Sequence, residues 1–137
     1  MWYHEKVFYQ IYTLNFCGAP FDNDGHIVHR ITRINDFVEH RILRLNDFMD
    51  YFEDLGINAI YFNPVFSSDH HGYDTRDYRV LDERLGTNED FKEVCQNLHS
   101  HQIKVVLDGV FNHVGRGFFA FKDVHNEELF YQNGRIL

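Results

Sequence analysis

The chain alternates between short apolar runs and longer stretches in which apolar residues recur every three or four positions. Three of the runs are rich in β-branched and aromatic residues and predict strands: VFYQIY at 7–12, INAIYF at 57–62 and IKVVL at 103–107. The last run is continuously apolar, as in strands that are covered on both faces. Pro64 follows the second run closely and indicates its end, because proline has no backbone donor to continue a ladder.

The stretch before the second run has helical spacing. Its apolar residues recur at steps of three and four and would share one helix face: Ile42, Leu45, Phe48, Met49, Phe52 and Leu55. We expect this helix to be entered near Asn35 or Asp36. Gly56 is expected to end it, since glycine accepts positive φ after a helix.

The stretch before the third run predicts a better-marked helix. Thr87 is a candidate N-cap, and Asp90 stands at the capping-box position, where glutamate is preferred. The apolar residues that follow fall at i, i+3, i+4 and i+7: Phe91, Val94, Cys95 and Leu98.

The predicted order is strand, helix, strand, helix, strand. Such alternation implies right-handed crossovers and a parallel sheet. Parallel α/β sheets carry their binding groups just beyond the carboxyl ends of the strands. Candidate site residues are therefore sought at 13–15, 63–78 and 108–113.

Length and composition fit one small domain. The chain has 137 residues, of which 44% are hydrophobic, so a core is available for one domain but not for two. No apolar run approaches the ~18 residues of a membrane span, and the start MWYHEKVFYQ lacks the apolar region of a signal peptide. We expect a cytoplasmic protein without membrane contact. Cys17 and Cys95 sit in no reactive signature and are expected to be small buried hydrophobic residues.

The charge balance argues against nucleic acid as a partner. The formal net charge is −8, which would repel phosphates. The basic residues of the segment 29–33, with Arg41 and Arg44, are interleaved with apolar residues and are interpreted as a solvated helix face.

Two stretches place polar chemistry at predicted strand ends. VVLDGVFNHVG, at 105–115, puts Asp108 directly after the third strand and an Asn-His pair four residues later. Taken alone, such an aspartate is more often a turn cap and such a histidine more often structural. SSDHHGYDTRDY, at 67–78, adds an aromatic ring, acids and an arginine after the second strand.

Three segments together resemble the first three βα units of the α-amylase family of glycoside hydrolases. They are VFYQIYTLNF, GINAIYFNPVFSSDHHGYDTRDYRVLDERLGTNEDF and VVLDGVFNH, in the order and spacing of the family from Val7 to Asp123. They are most similar to the neopullulanase, cyclomaltodextrinase and maltodextrin-glucosidase group. The resemblance implies that 1–137 is the N-terminal portion of a single (β/α)8 TIM-barrel catalytic domain, with three strands and two helices of an incomplete barrel.

The resemblance also implies an activity. Members of this family cleave or transfer α-glucosidic bonds of maltodextrin-type glucans with retention, using an aspartate nucleophile and a glutamate acid/base from strands four and five. We expect both groups to lie beyond Leu137, so that the 137-residue chain alone is catalytically incompetent. The alternative is a non-catalytic maltodextrin-binding fragment, and a flavodoxin-like regulator ranks last. Preference for α-1,4 or α-1,6 bonds, and hydrolysis or transglycosylation, stay open.

Five residues match functional positions of the family. The resemblance implies that Tyr73 stacks on a glucose unit and that His113 hydrogen-bonds a hydroxyl of the same unit. It assigns supporting roles to Asp74, which holds its loop, Asp108, which orients polar neighbours, and Asn112, which shapes the third loop. A pyranose offers an apolar face and a rim of hydroxyls, and a ring with an imidazole suits both.

No cofactor is expected. The asparagine matched by Asn112 is a calcium ligand in many α-amylases, so calcium near Asn112 stays open. FDNDG at 21–25 is similar to a calcium loop, but Pro20 takes the place of its first acidic ligand. The histidine pairs lack a third ligand at zinc spacing. An incomplete barrel exposes strand edges, so self-association through the open barrel edge is a further expectation.

Overall fold

The computed structural model describes residues 1–23 and 40–125. Along the chain, these residues form β1 (Phe8–Ile11), α1 (Thr13–Phe16), a 3-10 helix (Arg41–Phe48), α2 (Met49–Asp54), β2 (Ala59–Phe62), β3 (Phe66–Ser68), β4 (Thr75–Leu81), α3 (Asn88–Ser100), β5 (Lys104–Leu107) and α4 (Phe119–His125).

The three predicted strands form one parallel sheet, in the order β1-β2-β5. Each strand is shorter than its apolar run, because four residues of each take part in the ladder. The register aligns Ile11, Phe62 and Leu107 at the carboxyl ends of the strands. The prediction of a parallel α/β sheet is therefore confirmed, and the loops expected to carry the site leave the same edge.

The two faces of this sheet differ in polarity. One face contributes Ile11, Ile60 and Phe62 to the core, where each is at most 2% exposed. Because side chains alternate along a strand, Gln10 and its register neighbour Tyr61 lie on the opposite face. That second face is only partly covered in the described part of the chain, and it is the face that carries polar side chains.

The expectation that the third strand is covered on both faces is wrong for β5. Val105 and Val106 are only half-buried, and Leu107 is 39% exposed. The reason is geometric: helices pack on one face of the described sheet, and within residues 1–23 and 40–125 the outer edge of β5 has no neighbouring strand. An unpaired edge leaves backbone donors and acceptors open to solvent.

The first predicted helix is divided into two kinds of helix. Residues Arg41–Phe48 form a 3-10 helix, and α-helical geometry begins only at Met49. The spacing is compatible with this, because Ile42, Leu45 and Phe48 are three apart and a 3-10 helix has three residues per turn, but it does not distinguish a 3-10 helix from an α-helix. The predicted end is confirmed by Gly56, whose φ is +66°. The predicted entry at Asn35 or Asp36 lies outside the described residues.

The second predicted helix is confirmed as α3. Thr87 caps it: the backbone N–H of Asp90 donates to Thr87 Oγ1 at 3.2 Å, and the N–H of Thr87 donates to Asp90 Oδ2 at 2.7 Å. Val94 and Leu98 are fully buried beneath the helix, so capping and amphipathic spacing agree on the same element.

Replacing Thr87 with alanine is expected to lower the free energy of unfolding by about 1 kcal/mol, because the cap acceptor for Asp90 is lost. Urea unfolding followed by circular dichroism measures the change. Thr87→Ser retains the hydroxyl and should unfold near the wild-type midpoint. An alanine variant as stable as the serine variant would contradict the capping role.

A β-hairpin occupies the segment that the sequence describes only as a polar loop. Strands β3 and β4 pair antiparallel, with register irregularities on both sides of Ser67. The sequence pattern does not predict these two strands because β3 has only three residues and β4, TRDYRVL, is largely polar. The hairpin stands between β2 and α3 and carries the loop that includes Tyr73.

Both cysteines are at least partly buried. Cys17 is fully buried, and burial raises the pKa of its thiol to about 12. Cys95 is half-buried.

Two arginines of the basic cluster contact the main chain. Arg41 and Arg44 donate to the carbonyl oxygens of Gly18 and Cys17, so they hold the end of α1 rather than only facing solvent. The remaining basic residues of that cluster, at 29–33, lie outside the described residues.

None of the helices in the ranges 1–23 and 40–125 has the length and apolarity that crossing a bilayer requires.

Candidate functional site

The site is built where β2 and β5 end. Asn63 and Asp108 are the first residues after these strands, and their backbone N–H groups continue the ladder by donating to the carbonyl oxygens of Ile11 and Phe62, each at 2.9 Å. The sheet therefore fixes the main chain of both residues. Their side chains project from a rigid base rather than from a free loop.

Tyr73 joins the two strand ends through its hydroxyl. Asn63 Nδ2 donates to the phenol oxygen at 2.6 Å, and the phenol donates to Asp108 Oδ2 at 3.1 Å. Desolvation raises the pKa of the Tyr73 phenol, the bond from Asn63 opposes this, and the bond to Asp108 adds to it. The phenol thus stays protonated and donates to the carboxylate.

Asp108 also influences the phenol of Tyr61. Desolvation, followed by a hydrogen bond to Asp108, raises the pKa of Tyr61. Tyr61 belongs to β2, on the same face of the sheet as Gln10. One carboxylate therefore lies close to two tyrosines.

Asp74 holds the turn that presents Tyr73. Its Oδ2 accepts from the backbone N–H of His70 and lies 2.9 Å from His70 Nδ1, and its Oδ1 accepts from the N–H of His71 at 3.2 Å. Partial burial acts to raise the pKa of Asp74, but the bonds from His70 and the nearby His71 outweigh it and lower the pKa. The carboxylate is thereby committed to the loop as an anion.

His113 is exposed in the middle of the loop between β5 and α4. Its Nδ1 lies 2.8 Å from Asn112 Oδ1, and within the described ranges Nε2 has no hydrogen-bond partner. The phenol of Tyr78 contacts the carbonyl oxygens of Val110 and His113, so β4 holds this loop from the side. The imidazole is oriented by its neighbour and has one nitrogen open to a ligand.

Backbone contacts bring the second and third loops against each other. The N–H of Gly115 donates to the carbonyl oxygen of Thr75 at 2.8 Å, and the N–H of Gly117 donates to Asp69 Oδ2 at 3.1 Å. Arg76 Nε donates to the other oxygen of Asp69 at 2.5 Å. The loops therefore converge.

A buried ion pair ties the first loop to the second. Arg84 and Asp82 are 3% and 0% exposed and form two parallel bonds of 2.7 Å. The remaining guanidinium nitrogen donates to the carbonyl oxygens of Pro20, Phe21 and His70. One side chain thus fixes the loop after β1 relative to the turn that precedes Tyr73.

The five predicted site residues form three groups. Tyr73 and Asp108 are hydrogen-bonded to each other, Asn112 and His113 form a neighbouring pair, and Asp74 is bound to histidines of its own turn. Among the described residues, neither a hydrogen bond nor a ring contact joins Tyr73 directly to His113. The two are linked instead through the packing of their loops.

An open cleft of about 570 Å³ lies between the three loops. Its lining includes three carboxylates and two guanidinium groups, in the set Asp22, Asn23, Asp69, His70, Asp74, Arg76, Val114, Gly115 and Arg116. Tyr73 and His113 are absent from this lining, so the cleft adjoins the predicted subsite and does not coincide with it.

The described part of the chain does not gather calcium ligands around Asn112. Ca²⁺ takes six to eight oxygen ligands, and the side-chain oxygen of Asn112 contacts the ring of His113. In the described part of the chain, no three histidine, cysteine or acidic side chains come together as a metal site. Asn23, from the loop similar to a calcium site, donates to Ser68 and Glu83, and the end of that loop, 24–25, lies outside the described residues.

Sequence reasoning missed three contributors to this site. Gln10 donates to Asn63 Oδ1 at 3.0 Å, Tyr78 contacts the third loop, and Arg84 joins the first two loops. A polar residue within the apolar run VFYQIY was the available signal for Gln10. The other two follow from the hairpin, which the sequence pattern does not reveal.

Comparison with known proteins places this geometry in a family. The profile "Alpha amylase, catalytic domain" matches residues 44–133. Neopullulanase 2 of Thermoactinomyces vulgaris is 37% identical over 129 residues, covering 90% of this chain and 22% of that protein. An intracellular maltogenic amylase of Bacillus subtilis is 35% identical over 128 residues, again covering 90% and 22%. The chain therefore spans less than a quarter of these relatives.

A solved structure supports the same assignment. The ligand-free cyclic α-maltosyl-(1→6)-maltose hydrolase from Arthrobacter globiformis superposes with a TM-score of 0.72 at 33% identity, covering 93% of this chain and 30% of that one. The parallel sheet and its helices correspond to the N-terminal part of the barrel in that structure. On sequence and on fold, the chain belongs to the α-amylase family of glycoside hydrolases.

Proposed function

We propose that this chain forms part of the sugar-binding subsite of a retaining glycosidase that acts on α-glucosidic bonds of maltodextrin-type glucans. The hydrogen bond between Tyr73 and Asp108 is the observation that carries this proposal. It holds the Tyr73 ring at the carboxyl ends of the parallel strands, which is where (β/α)8 enzymes have their active sites. The names of the relatives, a neopullulanase and a maltogenic amylase, agree with an α-glucan as ligand.

In this proposal Tyr73 supplies the stacking surface. Its hydroxyl is held by Asn63 and Asp108, so the ring has little freedom to turn away from a glucose unit. His113 reads a hydroxyl through Nε2, since its Nδ1 faces Asn112. A neutral imidazole both donates and accepts, as a sugar hydroxyl does.

The supporting residues keep these two groups in place. Asp74 holds the turn through His70 and His71, Asp108 orients the Tyr73 phenol, and Asn112 orients the His113 ring. None of the three needs to touch the sugar.

The same contacts support a binding role without cleavage by this chain. Retaining glycosidases use two carboxyl groups about 5–5.5 Å apart, one as nucleophile and one as acid/base. Asp74 is hydrogen-bonded to histidines of its own turn and Asp108 to Tyr73, so both carboxylates hold neighbouring groups in place. We propose that the catalytic pair lies outside residues 1–137, in further segments of one (β/α)8 domain, and that the whole protein works in the cytoplasm, as the name of the intracellular relative suggests.

Replacing Tyr73 with alanine is expected to weaken binding of maltotriose at least about tenfold, because the stacking ring is lost. Isothermal titration calorimetry or saturation-transfer NMR measures the affinity. Tyr73→Phe keeps the ring and should lose less affinity. Tyr51 is an exposed tyrosine on α2, so Tyr51→Ala should bind maltotriose as the wild type does. Equal affinity of the Tyr73→Ala and wild-type proteins would reject the stacking role.

Incubation with maltotriose tests the absence of cleavage. No release of reducing sugar is expected from the purified chain. Turnover that Asp108→Asn abolishes would show that Asp108 is catalytic and would overturn this part of the proposal.

A further inference from the structure

A chain of hydrogen bonds crosses the site from β1 to β5. Gln10 Nε2 donates to Asn63 Oδ1 at 3.0 Å, Asn63 Nδ2 donates to the Tyr73 phenol at 2.6 Å, and the phenol donates to Asp108 Oδ2 at 3.1 Å. All bonds run in one direction. The donor at the start belongs to the first strand and is not among the five predicted site residues.

The donor-to-acceptor direction of these hydrogen bonds depends on the orientation of the Asn63 amide. An amide has an accepting oxygen on one side and a donating nitrogen on the other. Because Gln10 donates to the oxygen, the nitrogen is turned toward Tyr73. The phenol has one proton, and with its oxygen accepting from Asn63 that proton is directed to Asp108.

The position of Gln10 separates this role from core packing. Gln10 is exposed, and it lies on the sheet face opposite Ile11 and Phe62, which are buried. The main chain of Asn63 is held independently by its N–H bond to Ile11. A change at Gln10 therefore alters the polarity of the hydrogen-bond chain without removing a core contact.

We propose that Gln10 is a positioning residue for Tyr73: acting through Asn63, it sets the orientation of the Tyr73 hydroxyl and so holds the ring in its sugar-stacking position. The functional part of this inference rests on the proposed role of Tyr73, whereas the structural part rests on the hydrogen-bond chain alone.

The Gln10→Glu variant reverses the first bond with almost no change in shape. A carboxylate only accepts, so the introduced side chain attracts the nitrogen of Asn63 and turns the amide oxygen toward Tyr73. The phenol then loses its donor and has two acceptors for one proton. Once the introduced carboxylate is protonated, below the ordinary glutamate pKa of about 4.3, it donates again and the original direction returns.

The experiment uses the whole chain with ¹³C-labelled tyrosine. The Tyr73 Cζ resonance is assigned with Tyr73→Phe and then followed by NMR from pH 7 to about pH 3.5 in the wild type, Gln10→Glu and Gln10→Met. Gln96→Glu is the matched control, because Gln96 is an exposed glutamine on α3 far along the chain from Tyr73.

We expect Gln10→Glu to move the Tyr73 resonance at pH 7 and to return it to the wild-type position as the introduced carboxylate is protonated. Gln10→Met, which only removes the donor, should move it less and show no such return, and Gln96→Glu should leave it unchanged. An unmoved Tyr73 resonance in Gln10→Glu would overturn the inference. A displacement that persists below about pH 4 would overturn it as well, since loss of packing does not reverse with protonation.

Binding of maltotriose gives the functional readout. At pH 7, Gln10→Glu is expected to bind about fivefold more weakly than Gln96→Glu, the effect of one misdirected hydrogen bond. A wild-type chain that binds no maltotriose would reject the sugar-binding proposal, whereas the NMR series would still decide whether Gln10 controls Tyr73. Normal binding by Gln10→Glu, with a displaced resonance, would refute the functional part.

Discussion

Replacing Arg84 with methionine is expected to lower the free energy of unfolding by about 3–5 kcal/mol, because the Asp82 carboxylate is left buried without its counter-ion. Ser68 still donates to Asp82, but a neutral hydroxyl does not compensate a buried charge. Urea unfolding, followed by circular dichroism, gives the difference. The loops after β1 and β2 should also lose their mutual order, since Arg84 donates to carbonyl oxygens in both.

The chain contains its own control for this experiment. Asp77 and Arg79 have the same spacing and also form a paired contact, but the Arg79 side chain is 82% exposed. Arg79→Met should leave the urea midpoint nearly unchanged, because exposed ion pairs contribute little. Arg84→Lys keeps the charge but not the fork and should fall between the wild type and Arg84→Met. Equal stabilities of Arg84→Met and Arg79→Met would contradict the structural importance of the buried pair.

Gly115→Ala is expected to cost about 2 kcal/mol of folding stability and to weaken maltotriose binding, because the added methyl group has no room. A Cβ at this position would overlap the main-chain carbonyl of Asp74, with the carbonyl carbon only 2.9 Å away. Backbone cannot move aside as a flexible side chain does. The bond from Gly115 to Thr75, which holds the third loop against the second, would be strained or broken.

A second glycine of the same loop distinguishes crowding from a general effect of alanine. The atoms nearest to a Cβ on Gly109 would be ring atoms of Phe111, at 2.5 and 2.6 Å, and this ring is 81% exposed at the end of a flexible side chain that can move aside. Gly109→Ala should therefore resemble the wild type in urea unfolding and in calorimetric titration with maltotriose. If both glycine variants behave alike, contact with Asp74 is not the cause.

Much of the fold can be predicted from the sequence because the signals for its strands and helices are local. Each of the apolar runs at 7–12, 57–62 and 103–107 contains a strand, and Thr87 with Asp90 forms the capping box that their spacing predicts. Propensity, capping and alternation all point to the same elements, which is when pattern reasoning succeeds.

The elements that pattern reasoning misses are those whose stability comes from distant partners. The hairpin of β3 and β4 is short and polar, and the buried Asp82–Arg84 pair beside it depends on the loop after β1. The 3-10 geometry of Arg41–Phe48 competes with an α-helix of nearly the same apolar pattern. In these segments tertiary contacts, not local preference, decide the conformation.

The same distinction applies to the candidate site, where some features follow from the order of elements and others depend on tertiary contacts. That Tyr73 and Asp108 lie in loops above one sheet edge follows from the order of elements, since parallel strands end together. That Gln10 reaches Asn63, and that Tyr78 holds the loop of His113, depends on strand register and on an unforeseen hairpin. Such links are set by the tertiary structure and leave no local pattern in the sequence.

The way in which Arg84 holds the first two loops constrains their main-chain path and not their side chains. All three acceptors on that nitrogen, at Pro20, Phe21 and His70, are peptide oxygens, which every amino acid possesses. Positions 20 and 21 can therefore be diversified to reshape the loop after β1, provided that its length is kept, whereas His70 must also keep its ring contact with Asp74. Insertion of a single residue there would be far more disruptive than any of those replacements.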